Sequence, residues 1–147
     1  IGILNKLIEI NNDRIEGYQT ASNETEENDL KHLFARFIAN SQRCKQELTQ
    51  QVLNLGGKPE EGTRITGKFF RVWMDVKAAL TNKDRKVILN SCEYGEDVAV
   101  ETYEKALSES GDISSPLYTL IESQHMLIKN DHDKVRSMLE NLQRIDA

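Results

Sequence analysis

Four long segments of this chain repeat their apolar residues with the 3.6-residue period of an α-helix, which restricts the possible folds more than any other feature. The segments span residues 3–24, 30–55, 85–107 and about 115–145. In the third segment, the apolar stripe consists of Leu89, Cys92, Ala99, Tyr103 and Leu107. We therefore predict an all-α protein in which four long helices each turn one face into a shared core.

The lengths of the connections predict how these helices are arranged. The short links after helices 1 and 3 predict two antiparallel hairpins, whereas the long link after helix 2 lets helix 3 run parallel to helix 2. Gly56 and Gly57 end helix 2 and Pro59 prevents its continuation. Within the long link, residues 66–80 predict a short crossover helix that Trp73 anchors against the bundle. This is the arrangement of a ferritin-like four-helix bundle, and we predict one domain over residues 1–147.

Polar residues interrupt the apolar stripe near the middle of each long helix. Glu96 lies at the centre of the stripe of helix 3, and Asn11, Ser41 and Gln124 hold comparable positions on the other helices. A buried carboxylate is costly unless it is paired, hydrogen-bonded, protonated or bound to a metal. The charged residues in the middle of helix 1 are predicted to point away from the core: Glu9, Asp13, Arg14 and Glu16.

The metal pattern of ferritin-like carboxylate proteins is only partly present. That pattern places a Glu on each of two helices and Glu-x-x-His on each of the other two. Here helix 1 offers Asn11, helix 2 offers Ser41 and Cys44, and helix 3 offers the one suitable ligand, Glu96. Helix 4 contains a literal Glu-x-x-His in Glu122-Ser-Gln-His125. By helical rotation, however, its Glu lies roughly 150° and its His roughly 90° from the stripe centre.

Glu93 and His132 complete the candidate metal ligands. Glu93 precedes Glu96 by three residues, so the two carboxylates are neighbours that could bind a hard cation or share a proton. His132 lies roughly 70° from the centre of its stripe. In the alternative interpretation, Glu93 is solvated and Glu96 is satisfied by hydrogen bonds. The candidate partners of Glu96 are then Asn11, Tyr18, Tyr103 and Gln124.

Composition excludes several classes of function. Hydrophobic residues make up 38% of the chain and charged residues 29%, which is typical of a globular protein. The net charge of −5 and the absence of a Lys/Arg cluster argue against nucleic-acid binding. No apolar run approaches the roughly 18 residues of a membrane span. Cys44 and Cys92 have no metal-binding spacing and lie on apolar stripes, which indicates buried thiols and a reducing, cytoplasmic compartment.

Several segments of the sequence resemble a known family. They are LIEINNDRIEGY (7–18), LGGKPEEGT (55–63), WMDVKAALTNKDRKVILNSCEYGED (73–97) and the tail IESQH…HDKVR (121–136). The chain resembles a family of uncharacterised bacterial proteins that is classed with the ferritin-like superfamily and is more distantly similar to rubrerythrins. The resemblance implies a four-helix bundle with a helix-bearing crossover, and it implies no activity. The residues that match the family pattern are Glu93, Glu96, Gln124 and His132.

Two functional hypotheses follow. In the first, the protein is a non-enzymatic, stress-related ferritin-like bundle with a degenerate metal site, no cofactor, a central hydrogen-bonded network and a homodimeric state. In the second, it is a metal-binding ferritin-like protein, with iron as the first metal to test and a redox or storage role. The metal ligands of the second hypothesis are Glu93, Glu96, His132, Glu122 and His125.

Overall fold

The regular structure that the computed structural model describes is entirely helical. The described residues are 2–62, 85–109, 111 and 113–146. They contain four helices, α1 (Gly2–Glu24), α2 (Asn28–Asn54), α3 (Arg85–Ser108) and α4 (Ser115–Asp146). The predicted all-α architecture of four long helices is confirmed.

Contacts at the helix ends establish the direction of the third helix. Arg85, the first residue of α3, places its Nη1 atom 3.0 Å from Oδ1 of Asp29 in the first turn of α2. The two helices therefore begin at the same end of the bundle and run parallel, as the long link predicted. The α1–α2 and α3–α4 pairs are antiparallel hairpins with extensive contacts.

The chain that leaves α2 runs back along α1. The side chain of Asn5 donates to the carbonyl oxygen of Lys58 at 3.2 Å, and that of Asn12 donates to the carbonyl oxygen of Gly62 at 2.9 Å. Residues 58–62 therefore lead toward the end of the bundle from which α3 starts. The predicted crossover helix and Trp73 lie outside the described residues.

The end of α2 forms as the sequence predicts. Gly56 has a φ of 78°, in the left-handed region that favours glycine. The Gly57 N–H donates to the Val52 carbonyl at 2.9 Å and the Gly56 N–H donates to the Leu53 carbonyl at 3.0 Å. This pair of bonds is the Schellman motif, which satisfies carbonyl groups that the helix itself leaves unpaired.

The core consists of two apolar clusters with a polar layer between them. One cluster surrounds Tyr18, Phe34 and Phe37, and the rings of Phe34 and Phe37 lie 5.5 and 5.1 Å from the ring of Tyr18 between centroids. The other cluster surrounds Leu7 and Tyr103. The polar layer is made of fully buried residues, one from each helix: Arg14, Ser41, Glu96 and Asp131.

The predicted inward faces are mostly correct, with one error that matters. Glu96 is buried, as its position predicted, and the stripe of α2 is buried from Leu30 to Val52. The predicted helix 2 extends to residue 55, whereas α2 ends at Asn54 and Leu55 is 55% exposed, so the predicted helix is too long by this residue.

The prediction that the charged residues of α1 point outward is wrong for Arg14 and Asp13, which are 1% and 4% exposed. Leu7, Asn11, Arg14 and Tyr18 follow one another at spacings of four, three and four residues. Arg14 therefore lies within about 20° of Leu7 around the helix.

Within the described residues, no helix has the length and hydropathy that a membrane span requires.

Candidate functional site

The centre of the bundle holds a buried ion pair between α1 and α3. The Nη2 atom of Arg14 lies 2.8 and 3.0 Å from the two carboxylate oxygens of Glu96, and its Nε atom lies 3.2 Å from Oε1. The side chains of Arg14 and Glu96 are 1% and 0% exposed. The hydroxyl group of Tyr18 also donates to Oε1 of Glu96. The carboxylate on the stripe of α3 is therefore satisfied by a guanidinium and a phenol.

The other two helices contribute to the same charge cluster. The Nη2 atom of Arg14 donates to Oδ2 of Asp131 on α4 at 3.1 Å, and its Nη1 atom donates to the hydroxyl of Ser41 on α2 at 2.8 Å. The amide of Asn40 donates to both oxygens of Asp131 at 3.0 and 3.1 Å. Arg14 thus binds all three of the other helices from the middle of α1.

Burial perturbs the proton equilibria of this cluster. Burial raises the pKa of Glu96 above its ordinary value, although the charge of Arg14 and the hydrogen bond from Tyr18 oppose that shift. Burial alone would lower the pKa of Arg14, but the neighbouring Glu96, Tyr18 and Asp131 raise it above the ordinary arginine value. The guanidinium is therefore a permanent cation at the centre of the bundle.

A second buried network lies next to the charge cluster. The amide of Asn11 donates to the hydroxyl of Tyr103 at 2.9 Å, and that hydroxyl donates to Oε1 of Gln124 at 2.7 Å. The Gln124 amide donates to the Cys44 carbonyl at 3.2 Å and to Oε1 of Glu47 at 3.1 Å. The predicted network residues therefore fall into two separate groups. Of the predicted partners of Glu96, Tyr18 is confirmed, whereas Asn11, Tyr103 and Gln124 bond to one another.

A different group of candidate residues meets on the outer seam between α3 and α4. Glu93, Asp97 and His132 each direct one potential ligand atom into a space where all three atoms lie within 4.8 Å of one another. The Nε2 atom of His132 is 2.6 Å from Oδ1 of Asp97 and 4.0 Å from Oε1 of Glu93. We call these three residues the seam triad. It includes Glu93 and His132 from the predicted set and adds Asp97, four residues after Glu93 on the same face of α3.

Two further charged residues contact the seam triad. The Nδ1 atom of His132 is 3.2 Å from Oδ1 of Asp133. The Nη1 atom of Arg136 is 3.5 Å from Oε1 of Glu93.

The remaining predicted ligands lie apart from the seam triad. Nε2 of His125 is 3.8 Å from Oε1 of Glu104, and Glu122 is exposed. Among the described residues, the group of three or more potential ligands includes neither His125 nor Glu122. Glu96 lies in the central cluster, where Arg14 and Tyr18 bind it. Whether any of the predicted residues binds a metal stays a prediction.

The two thiols are both free and buried. Burial raises the pKa of Cys44 to about 11 and the pKa of Cys92 above its ordinary value. Both groups are therefore protonated at neutral pH, and a protonated thiol is a poor nucleophile.

Comparison with known proteins identifies one family. A family model described as "Domain of unknown function (DUF2383)" matches residues 1–109, which contain α1, α2 and α3. A search of curated proteins gave no match. The matched region includes Arg14, Glu96 and two members of the seam triad, whereas Asp131 and His132 follow it in the chain.

Proposed function

The chain belongs to this family of unknown function, and we propose that it is a non-enzymatic, ferritin-like helical bundle in which Arg14 takes the central place of a metal ion. The observation that supports the proposal is the position of one nitrogen atom. Nη2 of Arg14 lies 2.8, 3.0 and 3.1 Å from three carboxylate oxygens of Glu96 and Asp131. A cation bound between these carboxylates would compete with the guanidinium for the same oxygens.

The chemistry of the surrounding groups supports the same role. The ligands that a dinuclear centre would need from α1 and α2 are replaced by Asn11, Ser41 and Cys44, which do not supply the required carboxylates and imidazole. Ser41 is bonded to Arg14, and Asn11 is bonded to Tyr103. The interior groups therefore serve to fix the register of four helices, which is a structural role for a buried ionic network.

The proposal is tested by metal analysis of protein purified without a chelator, followed by exhaustive chelation. We expect that removal of metal leaves the helical circular dichroism signal and the unfolding temperature unchanged. A stoichiometric metal that disappears in Glu96→Ala would show that the interior binds metal and would refute the proposal.

A second candidate function is metal binding with a redox or storage role, iron being the first metal to test. The convergence of Glu93 and His132 with Asp97 favours it, because carboxylate and imidazole groups from two helices meet there. This site lies outside the central cluster, so metal binding there is compatible with the structural role of Arg14.

We also propose a homodimer and a cytoplasmic location. Large apolar side chains remain exposed on the described helices, among them Leu53, Tyr94 and Met126 at 54, 45 and 61%. Such residues are available for contact with a second copy of the chain. Light scattering after gel filtration measures the mass, and the mass of a single chain would contradict the dimer.

A further inference from the structure

The imidazole of His132 has carboxylate oxygens near both of its nitrogen atoms. The Nδ1 atom lies 3.2 Å from Oδ1 of Asp133, and the Nε2 atom faces Asp97 and Glu93. In the tautomer that carries the ring hydrogen on Nδ1, Asp133 accepts that hydrogen and the lone pair of Nε2 is directed at the other two carboxylates. This carboxylate–histidine arrangement is the one in which proteins present a histidine nitrogen to a metal.

The three ligand atoms of the seam triad meet at a point where the nitrogen of His132 has no hydrogen-bond partner among the described residues. Nε2 of His132 is inaccessible to solvent and forms no hydrogen bond with any described residue, although Oδ1 of Asp97 is 2.6 Å away. Two carboxylate oxygens and a nitrogen lone pair repel one another unless a proton or a metal ion lies between them. The imidazole is 14% exposed, so water can satisfy little of its hydrogen-bonding capacity and nearby groups must do so.

We propose that the seam triad, Glu93, Asp97 and His132, binds one divalent first-row transition metal ion. The inference rests on the second candidate function and gives it a location and an ion class. In a tetrahedral site with bonds of about 2.1 Å, neighbouring ligand atoms are roughly 3.4 Å apart. The distances of 2.6 and 4.0 Å from Nε2 to the two carboxylate oxygens fall on either side of that value. Small rotations of the Asp97 and Glu93 side chains, which are 50 and 22% exposed, would bring both distances toward that value.

The donor atoms select the class of ion. Ca²⁺ and Mg²⁺ take oxygen ligands and are poorly served by an imidazole, whereas Zn²⁺, Mn²⁺ and Fe²⁺ accept mixed nitrogen and oxygen sets. No thiolate is available, because both cysteines are buried elsewhere in the core. Three protein ligands leave at least one coordination position for water.

Arg136 competes with the ion for one of its ligands. Its Nη1 atom is 3.5 Å from Oε1 of Glu93, and its side chain is 61% exposed and free to move into solvent. Metal binding must displace this guanidinium, so its removal should tighten binding. A merely structural role of Arg136 would not produce that effect.

Isothermal titration calorimetry of the chelator-treated full chain with ZnCl₂ at pH 7 tests the proposal. We expect one ion per chain, with at least tenfold weaker binding by Glu93→Gln, Asp97→Asn or His132→Gln. Asp133→Asn should weaken binding by about 10- to 100-fold, the usual effect of removing a carboxylate behind a ligating histidine. Arg136→Gln should tighten it severalfold, and excess MgCl₂ should not displace the Zn²⁺.

The matched control is His125→Gln, because Nε2 of His125 is also buried without a hydrogen bond among the described residues but lies near the carboxylate of Glu104 and belongs to no group of three potential ligands there. We expect that this variant binds Zn²⁺ as the unmodified chain does, and circular dichroism shows whether each variant is folded. Binding that survives Asp97→Asn but is lost in Glu96→Gln would overturn the seam assignment while preserving metal binding as a function. Absence of Zn²⁺ binding by the folded, unmodified chain would refute both.

Discussion

Replacement of Arg14 by methionine is the perturbation that most strongly probes the central cluster. Methionine fills most of the same space but donates no hydrogen bonds and carries no charge. Glu96 and Asp131 would then be two buried carboxylates without a cation, since Arg14 is the cation bonded to both. Breaking a buried ion pair by removing one partner costs about 3–5 kcal/mol.

A second route gives a similar magnitude. A buried carboxylate that has lost its cation can be protonated, which at pH 7 costs about 1.36 kcal/mol for each unit between 7 and an ordinary pKa near 4.3. That cost is about 3.7 kcal/mol for one glutamate. We therefore expect Arg14→Met to lower the free energy of unfolding by about 4 kcal/mol, a large part of the total for a domain of this size.

The assay is urea unfolding followed by circular dichroism at 222 nm, at pH 7 and pH 5. Burial raises the pKa of Glu96, and removal of Arg14 removes the charge that opposes this shift. A carboxyl group whose pKa is raised in the folded state stabilises that state at low pH. This stabilisation is lost as the pH rises through the pKa of the folded state. The loss in free energy of unfolding that Arg14→Met causes should therefore be about 2–3 kcal/mol smaller at pH 5 than at pH 7.

Two matched variants separate the loss of charge compensation from the loss of side-chain packing. Glu96→Gln leaves Arg14 paired with Asp131, and we expect a loss of only about 1–2 kcal/mol. The triple replacement of Arg14, Glu96 and Asp131 by Met or Leu should recover most of the stability, as found when buried ion triads become apolar. A loss below about 1 kcal/mol in Arg14→Met, or a deficit independent of pH, would refute the reasoning.

Three further predictions address other parts of the molecule. Burial raises the pKa of Tyr18 and Tyr103 well above 10, so absorbance at 295 nm should show that these two tyrosines ionise only together with alkaline unfolding. Ionisation of Tyr18 or Tyr103 in the folded protein near pH 10 would contradict their buried positions. Gly56→Ala should lower the free energy of urea unfolding by about 1 kcal/mol, because a φ of 78° is strained for alanine. The added Cβ would meet no atom within 4 Å, so the cost comes from the backbone alone. An unchanged unfolding midpoint would argue against this helix end. Arg85→Gln should lower the free energy of unfolding by less than about 1 kcal/mol, because the ion pairs of Arg85 with Asp29 and Glu27 are partly exposed. In 1 M NaCl, which screens such pairs, the variant should lose no stability. A large loss that persists in high salt would show that these contacts are not surface ion pairs.

The sequence was sufficient to predict the helices and the parallel direction of α3. The helix ends follow from local rules, as at Gly56, and the buried stripe of α2 follows from periodicity alone. The start of α2 follows less directly from local rules, because Glu27 precedes the helix without a side-chain capping bond. Asp29 instead bonds to Arg85, a contact between segments distant in sequence.

The central cluster follows only in part from the sequence, because the charge of Arg14 favours a surface position whereas its rotation around the helix places it on the inward face. Arg14 is on the stripe of α1 by rotation, and a cation at that position is the natural partner of Glu96. Asp131 follows Ile128 by three residues and precedes Val135 by four, so it also lies on the inward face of α4. Comparison of the two stripes for opposite charges would have found the ion pair.

The seam triad could not be assembled from the sequence in the same way. Asp97 follows Glu93 by one helical turn, but its distance from His132 depends on the register between α3 and α4. Periodicity predicts which face a residue occupies, whereas register depends on how the two helices pack along their length. The contact between Asp97 and His132 therefore required the folded structure.

The most direct test of the account is a crystal structure of metal-replete protein, with anomalous difference maps calculated at the bundle centre. We predict that the guanidinium of Arg14 bridges Glu96 and Asp131 there and that the centre contains no anomalous peak. Two cations bridged by Glu96, with Arg14 displaced and ligands from all four helices, would contradict the central claim.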